Sequence, residues 1–182
     1  MKRGINTKCL HLEDEEGCFD NYGSLSYPIY QTATYAHPAV GESTGYDYSR
    51  LQNPTREHLE KIVAALEDGI DAIALSSGMA AITLLMEIFK PGDHVIVDSD
   101  LYGGSIRLFS NVSEKNNITF SRVDCHKEKV EAYITENTKA IYIETPTNPM
   151  MNVTDIEAMV KIAHERGLLL IVDNTFMSPY FQ

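Results

Sequence analysis

From Asn53 onward the apolar positions switch repeatedly between a helical and an extended period. Leu59, Ile62, Val63 and Leu66 recur at i, i+3, i+4 and i+7, with Asn53-Pro54-Thr55 as a start signal and Gly69 as a stop. Asp71-Ala-Ile-Ala-Leu-Ser-Ser77 then reads as a short apolar strand, followed by a helix from about Met79 to Phe89 that Pro91-Gly92 closes. The spacing next predicts a strand over His94–Asp98, a helix near Ser105–Lys115, a strand over Ile118–Val123 and a helix near Lys127–Thr135. A strand over Ala140–Glu144, a helix over Thr154–Arg166 ended by Gly167, and a closing strand over Leu168–Asp173 complete the series. Strands alternating with helices predict an α/β fold, mainly a parallel sheet with helices on both faces. The closing run is continuously apolar and ends on an acid, as in a buried parallel strand. Asp173 is thereby delivered to the carboxyl edge of the sheet, where open α/β folds hold their ligands.

Residues 1–45 lack a sustained period and are rich in Tyr, Gly, Ser, Pro and Thr. They read as an extended arm that buries little by itself and packs on a neighbouring subunit. Residues 46–182 then form the folded domain.

Composition narrows the classes. At 43% apolar and 23% charged residues the chain is that of a globular protein. Its net charge of −11 opposes nucleic acid, which requires a basic footprint, and opposes docking on anionic membranes. Cys9, Cys18 and Cys125 are scattered, with no metal-type spacing, and are expected as free thiols in a reducing compartment. Met1-Lys-Arg-Gly4 is followed by polar residues rather than an apolar core, so no secretion signal is expected, and no apolar run approaches a bilayer span. The expected location is the cytoplasm.

Five segments carry candidate chemistry. Ser76-Ser-Gly78-Met79-Ala-Ala is a small-residue turn from strand to helix, whose free N–H groups and positive dipole end would seat a phosphate; tight packing alone would also account for it. Tyr48-Ser-Arg50 places a phenol and a guanidinium together, the latter suited to bidentate phosphate binding, although a solvated loop charge beside a packing Tyr fits equally. Tyr102-Gly103-Gly104 follows a strand, and its ring either stacks on a flat ligand or packs in the protein. In Glu144-Thr-Pro-Thr-Asn148-Pro149 two prolines fix the loop and leave the Asn148 amide for a ligand oxygen, or mark a rigid turn. Asp173-Asn-Thr175 ends the last strand; a carboxylate there would keep a heteroaromatic ring nitrogen protonated and make the ring an electron sink, or would cap a helix. Four of the five follow strands of one sheet. A phosphate seat, a stacking ring, a partner for a phenolic oxygen and an acid for a ring nitrogen together describe pyridoxal 5′-phosphate. The segment around Gly78 is neither the dinucleotide nor the P-loop fingerprint, which opposes nicotinamide and nucleoside triphosphates.

On Tyr48-Ser-Arg50-Leu-Gln-Asn-Pro-Thr-Arg56, Ser76-Ser-Gly-Met-Ala-Ala81, Tyr102-Gly-Gly104, Glu144-Thr-Pro-Thr-Asn-Pro149 and Val172-Asp-Asn-Thr-Phe-Met-Ser-Pro179, the chain resembles the Cys/Met-metabolism family of pyridoxal-phosphate enzymes. The resemblance runs over nearly the whole chain. It implies the large domain of the fold-type-I transferases, here its first part, without the C-terminal domain. It also implies roles: Gly78 and Met79 N–H groups on the phosphate, Tyr102 stacked on the ring and assisting proton transfer, and Asn148 at the phenolic oxygen. Asp173 would sit at the ring nitrogen and Thr175 beneath the ring. Tyr48 and Arg50 would reach the neighbouring subunit's site, so a homodimer or homotetramer is implied.

The family activity implied is a carbon–sulfur lyase or transferase of the cystathionine γ-lyase or γ-synthase type, with a small amino acid as substrate. Gly104, where methionine γ-lyases resemble one another in carrying a Cys, and Phe176 tilt towards that type, with methionine γ-lyase or O-acetylhomoserine sulfhydrylase as further alternatives. In the family the lysine that carries the cofactor lies beyond Asp173 in a Ser-x-Thr-Lys context, and none of the nine lysines here, Lys2 to Lys161, has that context. The chain alone is therefore expected to be inactive. It would be either a non-catalytic remnant or one half of an enzyme completed by a complementary C-terminal chain.

Overall fold

The computed structural model describes residues 4–11 and 22–181, and divides into two compact units, residues 1–74 and 75–182. Cys18 and part of the expected arm lie outside the described residues.

In the first unit, the helical turn α1 (Ile5–Lys8) precedes irregular chain and the helix α2 (Pro54–Leu66). Asn53 caps α2 by accepting from Thr55 N–H at 2.9 Å, and Pro54 occupies the first turn, where its missing N–H costs nothing. The helix ends through Asp68 at φ +48° and a Gly69 N–H to Ala64 carbonyl bond of 2.8 Å. Residues 22–53 hold no regular element, only an isolated bridge between Thr34 and Tyr48, but they are tied to α2. Thr55 Oγ1 accepts from Tyr30 N–H at 2.9 Å and donates to Pro28 carbonyl at 3.1 Å, while the Tyr27 ring lies 3.8 Å from that of His58.

The expected strand over Asp71–Ser77 is absent. Ile73 and Leu75 alternate as a strand requires, yet they are 69% and 41% exposed. A ladder needs a partner, and among the described residues none pairs with this segment.

The second unit contains α3 (Gly78–Met86), β1 (His94–Asp98), α4 (Gly103–Leu108), β2 (Thr119–Val123), β3 (Thr138–Glu144), α5 (Ile156–Glu165) and β4 (Leu169–Asp173). All pairings are parallel and the strand order is β2-β1-β3-β4. Successive side chains leave the sheet on opposite faces, and two cores result. Val95, Val97, Ala140 and Tyr142 join Met86, Leu101 and Phe109 on the face covered by α3 and α4. Ile96, Ile141 and Ile143 join Met159 and Ala163 of α5 and Val130 on the other. The α/β architecture with helices on both faces is thus present.

Two helices depart from expectation. The run after α4 widens into a π turn over Phe109–Ser113 and tightens into a 3₁₀ turn over Glu114–Asn116. The π turn lets Phe109 and Ser113 both face inward, at 1% and 2% exposure. The helix expected near Lys127–Thr135 shrinks to a 3₁₀ turn over Val130–Tyr133. Local side-chain bonds take its first turn: Asp124 Oδ1 accepts from His126 N–H at 3.2 Å, and Glu128 Oε1 from Asp124 N–H at 3.0 Å.

Candidate functional site

Register puts chemistry at one edge. Glu144 pairs with Asp173, level with each other at the carboxyl ends of β3 and β4. Their side chains leave the sheet on the face of Tyr142, the α3/α4 face. There a cavity of about 340 Å³ is lined by Ser77, Gly78 and Met79 of the α3 start, by Tyr102, by Glu144 and Asn148, and by Asp173 and Thr175, with Ile82 and Phe176 completing the wall.

The α3 end is built to receive an anion. Ser77 caps it by accepting from Ala80 N–H at 3.1 Å. Among the described residues the N–H groups of Gly78 and Met79 have no acceptor. A Cβ on Gly78 would meet nothing within 4 Å, so the cavity comes up to bare backbone at this position. Both features fit a phosphate group at the positive end of the helix.

Tyr102 stands at the start of α4, 43% exposed, and its hydroxyl has no partner among the described residues. Gly104 makes room for its ring. A Cβ there would lie 2.3 Å from Tyr102 Cε1 and 2.7 Å from Met79 Sδ. The Asn148 side-chain amide is likewise without a partner among the described residues, while its backbone is held.

Asp173 is oriented from two sides. Its Oδ2 accepts from the Tyr142 hydroxyl at 3.1 Å, and its Oδ1 accepts from Thr175 N–H at 3.2 Å and from the Thr175 hydroxyl. Tyr142 is 1% exposed; burial, first, and then the neighbouring Asp173 push its pKa well up, so the phenol keeps its proton and remains a donor. Ser105 is fully buried beside it, and its hydroxyl acts on the phenol in the opposite direction, lowering its pKa.

Six of the eight residues singled out in the sequence, Gly78, Met79, Tyr102, Asn148, Asp173 and Thr175, thus line one cavity. Tyr48 and Arg50 belong to the first unit, where the Arg50 guanidinium lies 5.1 Å from the Tyr48 ring centroid. Two further site residues, Glu144 and Tyr142, carry no role in the sequence motifs, although Glu144 lies within one. Burial (4% and 1% exposed) and paired hydrogen bonds reveal both, and a buried acid at a strand end was the available signal.

A parallel sheet with an anion seat, an exposed ring and an oriented carboxylate at its carboxyl edge defines a cofactor-binding α/β protein of the kind that takes a phosphorylated heteroaromatic ring. The sequence profile of the Cys/Met metabolism PLP-dependent enzymes matches residues 6–182, and the chain belongs to that family. It is 53% identical over 161 residues to cystathionine gamma-lyase of Bacillus subtilis, covering 88% of this chain and 42% of that protein. It is 52% identical over 187 residues to cystathionine gamma-synthase/O-acetylhomoserine (thiol)-lyase of the same organism, covering 100% of this chain and 48% of the relative. Among solved structures, metB from Corynebacterium glutamicum superposes with a TM-score of 0.90 at 44% identity, over 98% of this chain and 47% of that one. The chain spans under half the length of these relatives. The family is pyridoxal phosphate dependent, and the cavity fits the group at its phosphate, ring-face and ring-nitrogen ends.

Proposed function

We propose that this chain carries the cofactor-binding part of a pyridoxal-phosphate carbon–sulfur lyase or transferase of the cystathionine γ-lyase or γ-synthase type. Its reaction would be γ-elimination or γ-replacement on a homoserine- or homocysteine-derived amino acid. The observation that carries the reading is the convergence of Gly78, Met79, Tyr102, Asn148 and Asp173 on one cavity.

When bound, the cofactor supplies a ring that takes up the electron pair left by proton loss from the amino acid. The residues do the rest. The unpaired Gly78 and Met79 N–H groups bind the phosphate dianion. Tyr102 presents its ring face to the heteroaromatic ring and its free hydroxyl to proton transfer. Asn148 donates its side-chain amide to the phenolic oxygen. Asp173 holds a proton on the ring nitrogen, and Thr175 with Tyr142 keeps that carboxylate aimed. Ile82 and Phe176 make part of the wall apolar, which strengthens each polar contact.

The assembly and compartment belong to the same proposal. Residues 1–45 pack on a neighbouring copy in a homodimer or homotetramer, with Tyr48 and Arg50 addressing that copy's cofactor. Support comes from the many apolar side chains exposed in this region, Leu25 at 82% and Ile29 at 76% among them. Cytoplasmic work is supported by Cys9 and Cys125, both free thiols, while no helix among the described residues is long and apolar enough to cross a membrane.

A second reading rests on one observation: among the described residues no lysine lines the cavity. On that reading the chain binds cofactor without turning over substrate unless a complementary chain supplies the lysine. Pyridoxal phosphate titration followed by borohydride reduction tests both. A shifted visible band fixed on a single lysine, in this chain or a bound partner, supports the lyase reading. Saturable binding with no covalent fixation supports the second, and a spectrum identical to free cofactor overturns both.

A further inference from the structure

We propose that Glu144 is a positioning residue that locks the Tyr102 and Asn148 walls of the cavity to the end of β3. The claim about the walls stands on geometry, and its bearing on pyridoxal phosphate rests on the functional reading above.

Glu144 Oε2 accepts from Tyr102 N–H at 2.8 Å, and Oε1 accepts from Asn148 N–H at 2.7 Å. The two donors belong to different connections, one running from β1 into α4 and the other from β3 towards α5. A single side chain therefore joins two loops that the sheet alone leaves separate. Each loop presents one ligand-facing group without a partner among the described residues, the Tyr102 hydroxyl and the Asn148 amide. The spacing between those groups is set where their backbones are held.

The identity of the residue argues for this role over simple packing. Glu144 is 4% exposed and stands level with Asp173, so its charge is costly there. Burial raises its pKa, and Asp173 on β4 and Asp100 on the β1–α4 connection push the same way. Among the described residues no basic side chain lines the cavity to compensate. What a carboxylate offers in return is two acceptor oxygens on one fork, one for each N–H. Glutamine has the same shape and only one acceptor; its NH₂ would face an N–H donor.

Amide hydrogen exchange in the ligand-free protein, comparing wild type with Glu144→Gln, is the deciding measurement. The amides of Tyr102 and Asn148 are expected to exchange at least about tenfold faster in the variant, as loss of a charge-assisted bond implies, with those of Val95–Val97 and Ile141–Ile143 unchanged. Unchanged exchange at Tyr102 and Asn148 overturns the proposal. If the variant fails to fold, wild type carries the same readout as the pH is lowered from neutrality into the ordinary carboxylate range, because burial makes Glu144 take up a proton before ordinary carboxylates do and it then loses one acceptor. Asp173, Asp100 and the neutral phenol of Tyr142 are the titratable groups facing it. Protection factors at the two amides, normalised for the fall of the intrinsic chemical rate with pH, that stay constant through the range where ordinary carboxylates titrate overturn the proposal in that arm. Pyridoxal phosphate binding, followed by the induced visible circular dichroism, is measured alongside. The variant is expected to bind about tenfold more weakly with an altered signal. If wild type itself gives no binding, the cofactor reading fails, while the exchange result still decides what Glu144 holds.

Discussion

The buried hydroxyl of Tyr142 donates to Oδ2 of Asp173 over 3.1 Å, so the carboxylate at the rim of the cavity is aimed from inside the core. Tyr142→Phe keeps the ring and removes the donor. Unfolding free energy is expected to drop by about 1–3 kcal/mol, the range for a lost bond to a charged acceptor. Pyridoxal phosphate affinity should fall with it. Urea denaturation and cofactor titration of the same preparation check both, and an unchanged affinity contradicts the aiming role.

Gly104 is a steric prediction. Any Cβ there meets the Tyr102 ring at 2.3 Å and Met79 Sδ at 2.7 Å, so Gly104→Ala forces one of them aside. A loss of about 1–3 kcal/mol is expected from overpacking, with the Tyr102 ring displaced. A crystal structure of the variant with Tyr102 and Met79 unmoved would contradict this.

His94 gives a pH dependence at the opposite end of the sheet. It pairs with Thr138 Oγ1 at 2.8 Å and Ser121 Oγ at 2.9 Å, and burial lowers its pKa. A histidine depressed in the folded state favours the fold above its unfolded pKa of about 6.5, and that contribution drains away as pH falls through the folded value. Between about pH 7.5 and 5 the wild type should therefore lose stability more steeply than His94→Gln. Equal slopes in the two denaturation series would contradict this assignment.

The thiols should separate by reactivity. Cys9 is exposed, whereas Cys125 is 6% exposed and burial pushes its thiol up to about 12. Peptide mapping after brief alkylation at neutral pH should find Cys9 modified and Cys125 intact until the protein is unfolded. Prompt labelling of Cys125 in the folded protein would contradict the burial.

Much of this was legible in the sequence because the elements concerned satisfy themselves. The α2 start carries its own cap, Asn53 with Pro54, and β3 and β4 announce themselves as unbroken apolar runs. The cavity residues were legible for a related reason. In a parallel sheet every strand ends on the same edge, so residues just after strands converge whatever the loops do. What could not be read depended on partners. Ile73 and Leu75 look like a strand, but pairing belongs to two segments and not one. The helix after Asp124 has acceptable propensity, and it loses to side chains that bond the same amides. Glu144 and Tyr142 were invisible as site residues because their roles rest on which amide or carboxylate lies across the fold.

The aromatic rings of the α3/α4 core form a line across the sheet. Phe120 of β2 stacks on Phe109 at 4.9 Å, Phe109 meets Tyr142 edge-on at 5.4 Å, and Tyr142 holds Asp173. β2 is the edge strand farthest from Asp173 in the strand order. Phe120, only half-buried there, thus has less mutational latitude than its exposure suggests. A smaller side chain at this outer margin loosens the stack that seats the phenol, and the position will tolerate replacement best by residues that refill the same volume.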